Sequence, residues 1–154
     1  MQSLLTISEP SKIIDHLYLG SIQSMETSIL NNLDINVVIN VTKIPDTFSS
    51  NRIYYIIPIN DEDTDIYQYF NSVSNIIDQR IKENKNVLVH CAMGISRSAT
   101  IVIAYLMNKQ AMGYAEAFNL VFSKRSIINP NWSFRHQLMR YEKALHNNEK
   151  CIIS

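Results

Sequence analysis

Cys91 and Arg97 stand in the segment Val87-Leu88-Val89-His90-Cys91-Ala92-Met93-Gly94-Ile95-Ser96-Arg97-Ser98, which reads as a buried strand, a tight loop and a helix start. A junction of this kind turns the backbone N–H groups of the loop and of the first helical turn into one concavity. The helix dipole adds partial positive charge, so the concavity suits a phosphate-sized dianion. Cys91 falls at its floor, where those donors favour thiolate over thiol and make the sulfur a nucleophile at neutral pH. The planar fork of Arg97 can hold two phosphate oxygens and follow them into a trigonal-bipyramidal transition state, which a lysine cannot do. Gly94 allows the positive φ that so tight a loop requires, and the Ser98 hydroxyl can donate to the sulfur when it departs. Ala92, Met93, Gly94, Ile95 and Ser96 would bind phosphate through their amides.

An isolated buried cysteine is usually an inert small hydrophobe, and an arginine before a helix is usually solvated. Here the spacing and the strand, loop and helix context agree, which favours chemistry. His90 directly precedes the nucleophile and, by strand alternation, faces away from the anion; hydrogen bonding that orients the loop is its expected work. A departing alcohol also needs a proton, best given by an acid on a separate loop. Carboxylates crowd Asp61-Glu62-Asp63-Thr64-Asp65 after the apolar run ending at Ile59. Asp65 is assigned to a helix cap and Glu62 to solvent. Asp61, next to the strand end, is the first candidate acid and Asp63 the second.

The elements that must position these groups follow from periodicity. His16 to Gly20, Ile35 to Val41 and Ile53 to Ile59 read as strands, with Pro58 ending regular pairing and a helix from about Met25 to Leu33. From Ile66, the apolar residues Phe70, Val73, Ile76, Ile77 and Ile81 recur at helical spacing, with Asp65 as N-cap and Gln68 completing a variant capping box. Val87 to Val89 is short and wholly apolar, as a central strand buried on both faces would be. Ala99 to Met107 contains the β-branched run Thr100 to Ile103 but is too long for a typical strand, so it is assigned to a buried helix. Further helices are expected from about Tyr114 to Lys124 and from Trp132 to His146, the latter capped by Asn131. Strands alternating with helices give an α/β sandwich around a central sheet. Tyr54, Tyr55, Tyr67, Tyr69 and Trp132 are assigned to the core before the rim of the site.

The chain has 154 residues, 46% hydrophobic and 18% charged, without a linker-like stretch, as expected for one domain. Its 14 basic and 14 acidic residues cancel, removing the long-range field that nucleic-acid binders use, so no nucleic-acid partner is expected. Cys91 and Cys151 are the only cysteines, which excludes a disulfide framework and favours a reducing compartment. Neither a signal peptide nor the ~20-residue apolar run of a membrane span is seen, so a cytoplasmic or nuclear location is expected.

The stretch HCAMGISRSAT resembles the signature of the cysteine-dependent protein phosphatases, in detail that of the dual-specificity branch. The resemblance extends over nearly the whole chain. Residues 13–21 (IIDHLYLGS) look like that family's opening strand, 36–42 (NVVINVT) like its second, and 129–142 (NPNWSFRHQLMRYE) like its last helix. It implies a protein tyrosine phosphatase-like fold, a central mixed β-sheet flanked by helices, with a catalytic domain over residues 1–146 and a short tail over 147–154. It also implies that the acid lies at Asp61, in a segment like IPIND. Cys91 would attack phosphorus while Asp61 protonates the leaving oxygen, and water activated by Asp61 would hydrolyse the phosphocysteine. No metal or cofactor is called for, because Arg97 and the loop amides neutralise the phosphoryl oxygens.

Phosphoinositide and RNA triphosphate members of that superfamily tend to ring the loop with Lys or Arg. Here Ala92, Met93 and Ile95 are uncharged, which favours phosphoprotein substrates. The short chain lacks the pocket-deepening loops of tyrosine-only members, so phosphoserine and phosphothreonine should enter as well as phosphotyrosine. An RNA 5′-phosphatase and a phosphoprotein-binding module without turnover are the competing readings. Finally, Cys151-Ile152-Ile153-Ser154 matches a farnesylation pattern; lipidation of Cys151 would give weak, reversible membrane association, since HNNEK upstream is not polybasic.

Overall fold

The computed structural model describes residues 7–62 and 64–153, with side chains as far as Asn148. Asp63 and the thiol of Cys151 lie outside the described residues, so the second acid candidate and the lipidation site have no structural account. Five strands form one mixed sheet: β1 (Ser11–Ile14), β2 (Leu17–Gly20), β3 (Ile35–Asn40), β4 (Ile53–Ile56) and β5 (Asn86–His90). Their order is β1-β2-β5-β3-β4, with β1 antiparallel to β2 and the other neighbours parallel. β1 was not separated by the sequence pattern. It forms a tight hairpin with β2 through Asp15 and His16, the latter at φ 70°, and His16 Nδ1 meets Asn86 Oδ1 at 2.8 Å to tie the turn to the start of β5.

Alternation along the strands sorts side chains between the two faces. Leu17, Leu19, Val37, Ile39, Val87 and Val89 join the large core with α2 (Phe70–Lys82), α3 (Arg97–Lys109), α4 (Tyr114–Lys124) and α5 (Trp132–Ile153). On the opposite face Val38 and Leu88 pack with Leu30 of α1 (Thr27–Asn32) and Ile35 in a smaller cluster. The expected sandwich is therefore lopsided. α3 is the central helix: Ser98 to Met107 are all buried, so the β-branched run that could have made a strand is instead enclosed by α2, α4, α5 and the sheet.

Local capping differs from expectation at α2. A single tight turn, Tyr67–Tyr69, precedes the helix, and Asp65 does not cap it. Gln68 donates through Nε2 to the Asp65 carbonyl at 2.8 Å, while the Tyr67 N–H goes to Gln137 Oε1 of α5 at 2.9 Å. A partner from another helix satisfies the orphan donor, and Ile66, fully buried, fixes the chain entry instead. The cap expected at Asn131 is present: its Oδ1 accepts the Phe134 N–H at 2.8 Å. α5 itself continues past His146 to Ile153, so the backbone of the expected tail is helical as far as that residue.

What the sheet does for the site is set by one rung. Gly20 of β2, His90 of β5 and Asn40 of β3 are aligned neighbours at the carboxyl ends of parallel strands, so the segments that follow them emerge at one edge. In open α/β sheets this edge, beside a strand inserted between its neighbours, is where ligands bind. Phe134, fully buried, locks α5 onto this core. Replacing it, Phe134→Ala, should cost about 3–5 kcal/mol, read as a lowered urea midpoint with little change in slope.

Candidate active site

Residues 91–96 link β5 to α3, and four of their carbonyls are drawn outward by neighbouring groups. The Cys91 carbonyl faces His90 Nδ1 at 3.3 Å, and the Ala92 carbonyl accepts the Ile22 N–H at 3.2 Å. The Gly94 carbonyl accepts Arg125 Nε at 2.9 Å, and the Ile95 carbonyl accepts the Asn129 N–H at 2.8 Å. None of these peptides is cis. In a trans peptide the C=O and the following N–H point in opposite directions, so each outward carbonyl turns the next amide, those of Ala92, Met93, Ile95 and Ser96, to the inner side. This is the anion-binding nest expected from the strand, loop and helix pattern.

Gly94 sits at φ +67°, and a Cβ there would lie 2.6 Å from the Gly20 carbonyl oxygen and 2.7 Å from Arg125 Nη2. The loop apex is thus wedged between the end of β2 and a buried arginine. Cys91 is buried, and its Sγ lies 3.1 Å from Ser98 Oγ, whose own hydroxyl also approaches the Gly20 carbonyl at 3.5 Å. Arg97 opens α3 and is held by donation from Nη1 to the Ile59 carbonyl at 3.0 Å. Cys91, Met93, Ile95, Ser96, Arg97 and Asp61 line one cavity of about 350 Å³.

Asp61 reaches that cavity through Asn131, whose Nδ2 donates to the Asp61 carbonyl at 2.7 Å and approaches its Oδ1 at 3.4 Å. The N–H of Asn131 in turn donates to Ser96 Oγ at 3.0 Å. One residue therefore caps α5, anchors the phosphate loop and fixes the candidate acid. A larger cavity of about 760 Å³ beside α5 includes His136, Arg140 and Lys143 but neither Cys91 nor Arg97, so size alone would have misplaced the site.

His90 is fully buried and does not line the cavity, in keeping with strand alternation. Its Nε2 lies 3.0 Å from Asp46 Oδ1, a partner on the β3–β4 connection that sequence reasoning missed. Both ring nitrogens face oxygen atoms, Nε2 the Asp46 carboxylate and Nδ1 the Cys91 carbonyl, so the ring is held from both sides. Asp46 is brought back over β5 by the bonds of Asn40 Nδ2 and Thr42 Oγ1 to the Ile44 carbonyl, at 2.7 and 3.0 Å.

Arg125 was missed as well. It is fully buried, and burial lowers its guanidinium from the usual range while the charge at Cys91 acts the other way. A sequence signal for it exists: Ala117 and Val121 are the buried positions of α4, and Arg125 continues that stripe at the same four-residue spacing. Among the aromatic residues, Tyr55, Tyr67 and Tyr69 pack against the large core and Tyr54 against the small one. Trp132 departs from the core assignment: it is 73% exposed and lines a shallow recess with Asp61 and Asn131 beside the site. It lies in the first turn of α5, but the buried side of that turn is taken by Phe134, two residues on, which leaves Trp132 on the side of the acid loop.

A buried thiol facing a hydroxyl, inside a nest of amides with an arginine at the helix start, defines a cysteine-dependent phosphatase. The family model of the dual specificity phosphatase catalytic domain matches residues 17–144, and the chain belongs to that family. It is 38% identical over 141 residues to dual specificity protein phosphatase 1B of Arabidopsis thaliana, covering 90% of this chain and 84% of that protein. It is 41% identical over 139 residues to human dual specificity protein phosphatase 1, covering 88% of this chain but only 38% of that protein. Among solved structures, human tyrosine phosphatase-like serine/threonine/tyrosine-interacting protein superposes with a TM-score of 0.82 at 35% identity, over 89% of this chain and 97% of that one.

Gly94→Ala should leave the fold intact but displace the loop apex, because the new Cβ meets backbone on one side and a buried side chain on the other. A displacement on the order of 1 Å costs about a hundredfold in rate. Hydrolysis of an aryl phosphate by the variant, with circular dichroism as the folding control, measures it.

Proposed function

We propose that the chain hydrolyses phosphotyrosine and phosphoserine or phosphothreonine in proteins through a phosphocysteine intermediate. The observation that carries this reading is the convergence of Cys91, Arg97 and Asp61 on one cavity whose wall is a run of inward amides. In the first step Cys91 Sγ attacks phosphorus in line. The S–P bond forms as the bond to the leaving oxygen breaks, and Asp61 gives that oxygen its proton. Arg97 and the amides of Ala92, Met93, Ile95 and Ser96 hold the equatorial oxygens as their charge redistributes. In the second step water attacks phosphorus while Asp61 takes its proton, and the S–P bond breaks. Ser98, 3.1 Å from the sulfur, donates to the departing thiolate. His90 and Asp46 hold the first peptide of the loop and touch no reacting atom.

Phosphoprotein rather than polyanionic substrates are favoured by the rim. Met93, 49% exposed, and Trp132 are apolar platforms for a polypeptide, and the loop residues at 92, 93 and 95 bear no charge. Release of phosphate from triphosphate-ended RNA exceeding release from a phosphopeptide by orders of magnitude would overturn the substrate class. Turnover of phosphotyrosine peptides alone would overturn dual specificity.

The purified chain should hydrolyse an aryl phosphate without added metal, and Cys91→Ser should abolish turnover. Asp61→Asn should lower kcat by about 10²–10⁴-fold, the usual scale for a lost general acid. Ser98→Ala should slow the second step, so that rapid quenching traps more phosphocysteine than in the parent protein.

A further inference from the structure

The guanidinium of Arg125 is a buried charge that the steps above leave unused. Its side chain is among the largest fully buried in the molecule. Nε donates to the Gly94 carbonyl at 2.9 Å, and Nη1 to the Glu9 carbonyl at 2.9 Å and to Ser11 Oγ at 3.2 Å. Every one of these acceptors is neutral. Nη2 has no hydrogen-bond partner among the described residues, although it sits 2.7 Å from the position a Gly94 Cβ would take. Buried charges are normally paired, yet none of the ion pairs found among the described residues includes Arg125. What lies on the other side of Gly94 is the nest that receives the Cys91 thiolate and the phosphoryl group.

We infer that Arg125 is a positioning residue of the phosphate loop: it holds the Gly94–Ile95 peptide with its N–H inward and serves as the buried counter-charge to Cys91 and to bound phosphate from behind the loop. The inference rests on the phosphocysteine reading of the site. The placement is economical. One fork bonds the apex carbonyl, the β1 residue Ser11 and the backbone of Glu9, so the apex is fixed to the sheet edge rather than to a movable surface loop. Trimming the charge while keeping a donor would therefore leave the loop closed but less hospitable to an anion. A role confined to tying α4 to the N-terminal segment would affect stability and leave Cys91 and phosphate untouched.

Among the described residues, the other charged or titratable groups placed around Cys91 are Arg97 and Asp61 lining the cavity, with the His90 and Asp46 pair behind the strand end. All of these are retained in the test. Full-length parent, Arg125→Gln and Arg125→Lys proteins are compared by the rate at which iodoacetamide alkylates Cys91, located by peptide mass, as a function of pH. Inhibition of aryl phosphate hydrolysis by inorganic phosphate is measured alongside. Arg125→Gln should slow alkylation at about pH 6 roughly tenfold, and weaken phosphate inhibition about as much, each change equivalent to about 1.4 kcal/mol. Arg125→Lys should recover part of both. A folded Arg125→Gln protein matching the parent in both readouts overturns the inference.

If the parent Cys91 alkylates at that pH no faster than an unstructured cysteine peptide, the phosphatase reading itself fails, a distinct outcome. Should Arg125→Gln not fold, the ¹⁵Nε resonance of Arg125 in the parent provides the measurement. It should move with pH and with bound phosphate, and stay fixed with pH in the Cys91→Ser protein; indifference to both pH and phosphate in the parent overturns the inference.

Discussion

Peptide planarity is the constraint on which this molecule depends. A loop between β5 and α3 can surround a dianion only if its N–H groups face inward, and in a trans peptide that orientation is set by what holds the preceding carbonyl. Here the carbonyls of Cys91, Ala92, Gly94 and Ile95 are held from outside by His90, Ile22, Arg125 and Asn129. Those anchors come from the strand itself, from the segment after β2, from the end of α4 and from the segment before α5. The nest is thus a property of four neighbouring regions, imposed on a loop that alone would have many conformations.

The sheet explains why those regions meet. With Gly20, His90 and Asn40 on one rung, the chain leaves β2, β5 and β3 at a common edge. Gly20 must be bare, because a Cβ there would lie 2.5 Å from Ser24 Oγ and 3.2 Å from Leu88. Its carbonyl can then approach both Gly94 and Ser98. From the other side, residues 125–131 run along the loop and bind Gly94, Ile95 and Ser96 in turn, before Asn131 reaches Asp61. The acid and the nucleophile are therefore coupled through the same short segment that stiffens the loop. Preorganisation of this kind lets the charge of the transition state meet donors already in place.

Much of this was legible in the sequence because local rules and tertiary structure agree there. Cys91, Gly94, Arg97 and Ser98 sit within one strand, loop and helix unit, so spacing suffices to group them. Asn131 combines a local cap with a tertiary contact, and its cap could be read. Failures occur where a local preference is outbid by a distant partner. Asp65 looks like a cap, but Gln137 of α5 satisfies the Tyr67 N–H that it would have served. Trp132 looks like core, but Phe134 takes the buried side of the same helical turn and Trp132 is left facing the acid loop. Asp46 gives no signal at all, since it meets His90 only after the connection between β3 and β4 folds back. Arg125 carries a faint one, an arginine on the buried stripe of α4, which basic composition at a helix end readily disguises.

The sequence by itself determined the type of chemistry, the order of the main strands and helices, and the nucleophile, because these depend on residue identity and short-range periodicity. Only the tertiary structure decided which groups face the loop from behind, how Asp61 is tethered, that Asp46 meets His90, and that Arg125 stands behind the loop apex without an ionic partner among the described residues. Those outcomes depend on contacts between residues dozens of positions apart. No local propensity encodes such distances; they arise when the burial of alternating strand faces and of α3 fixes where every other element can lie.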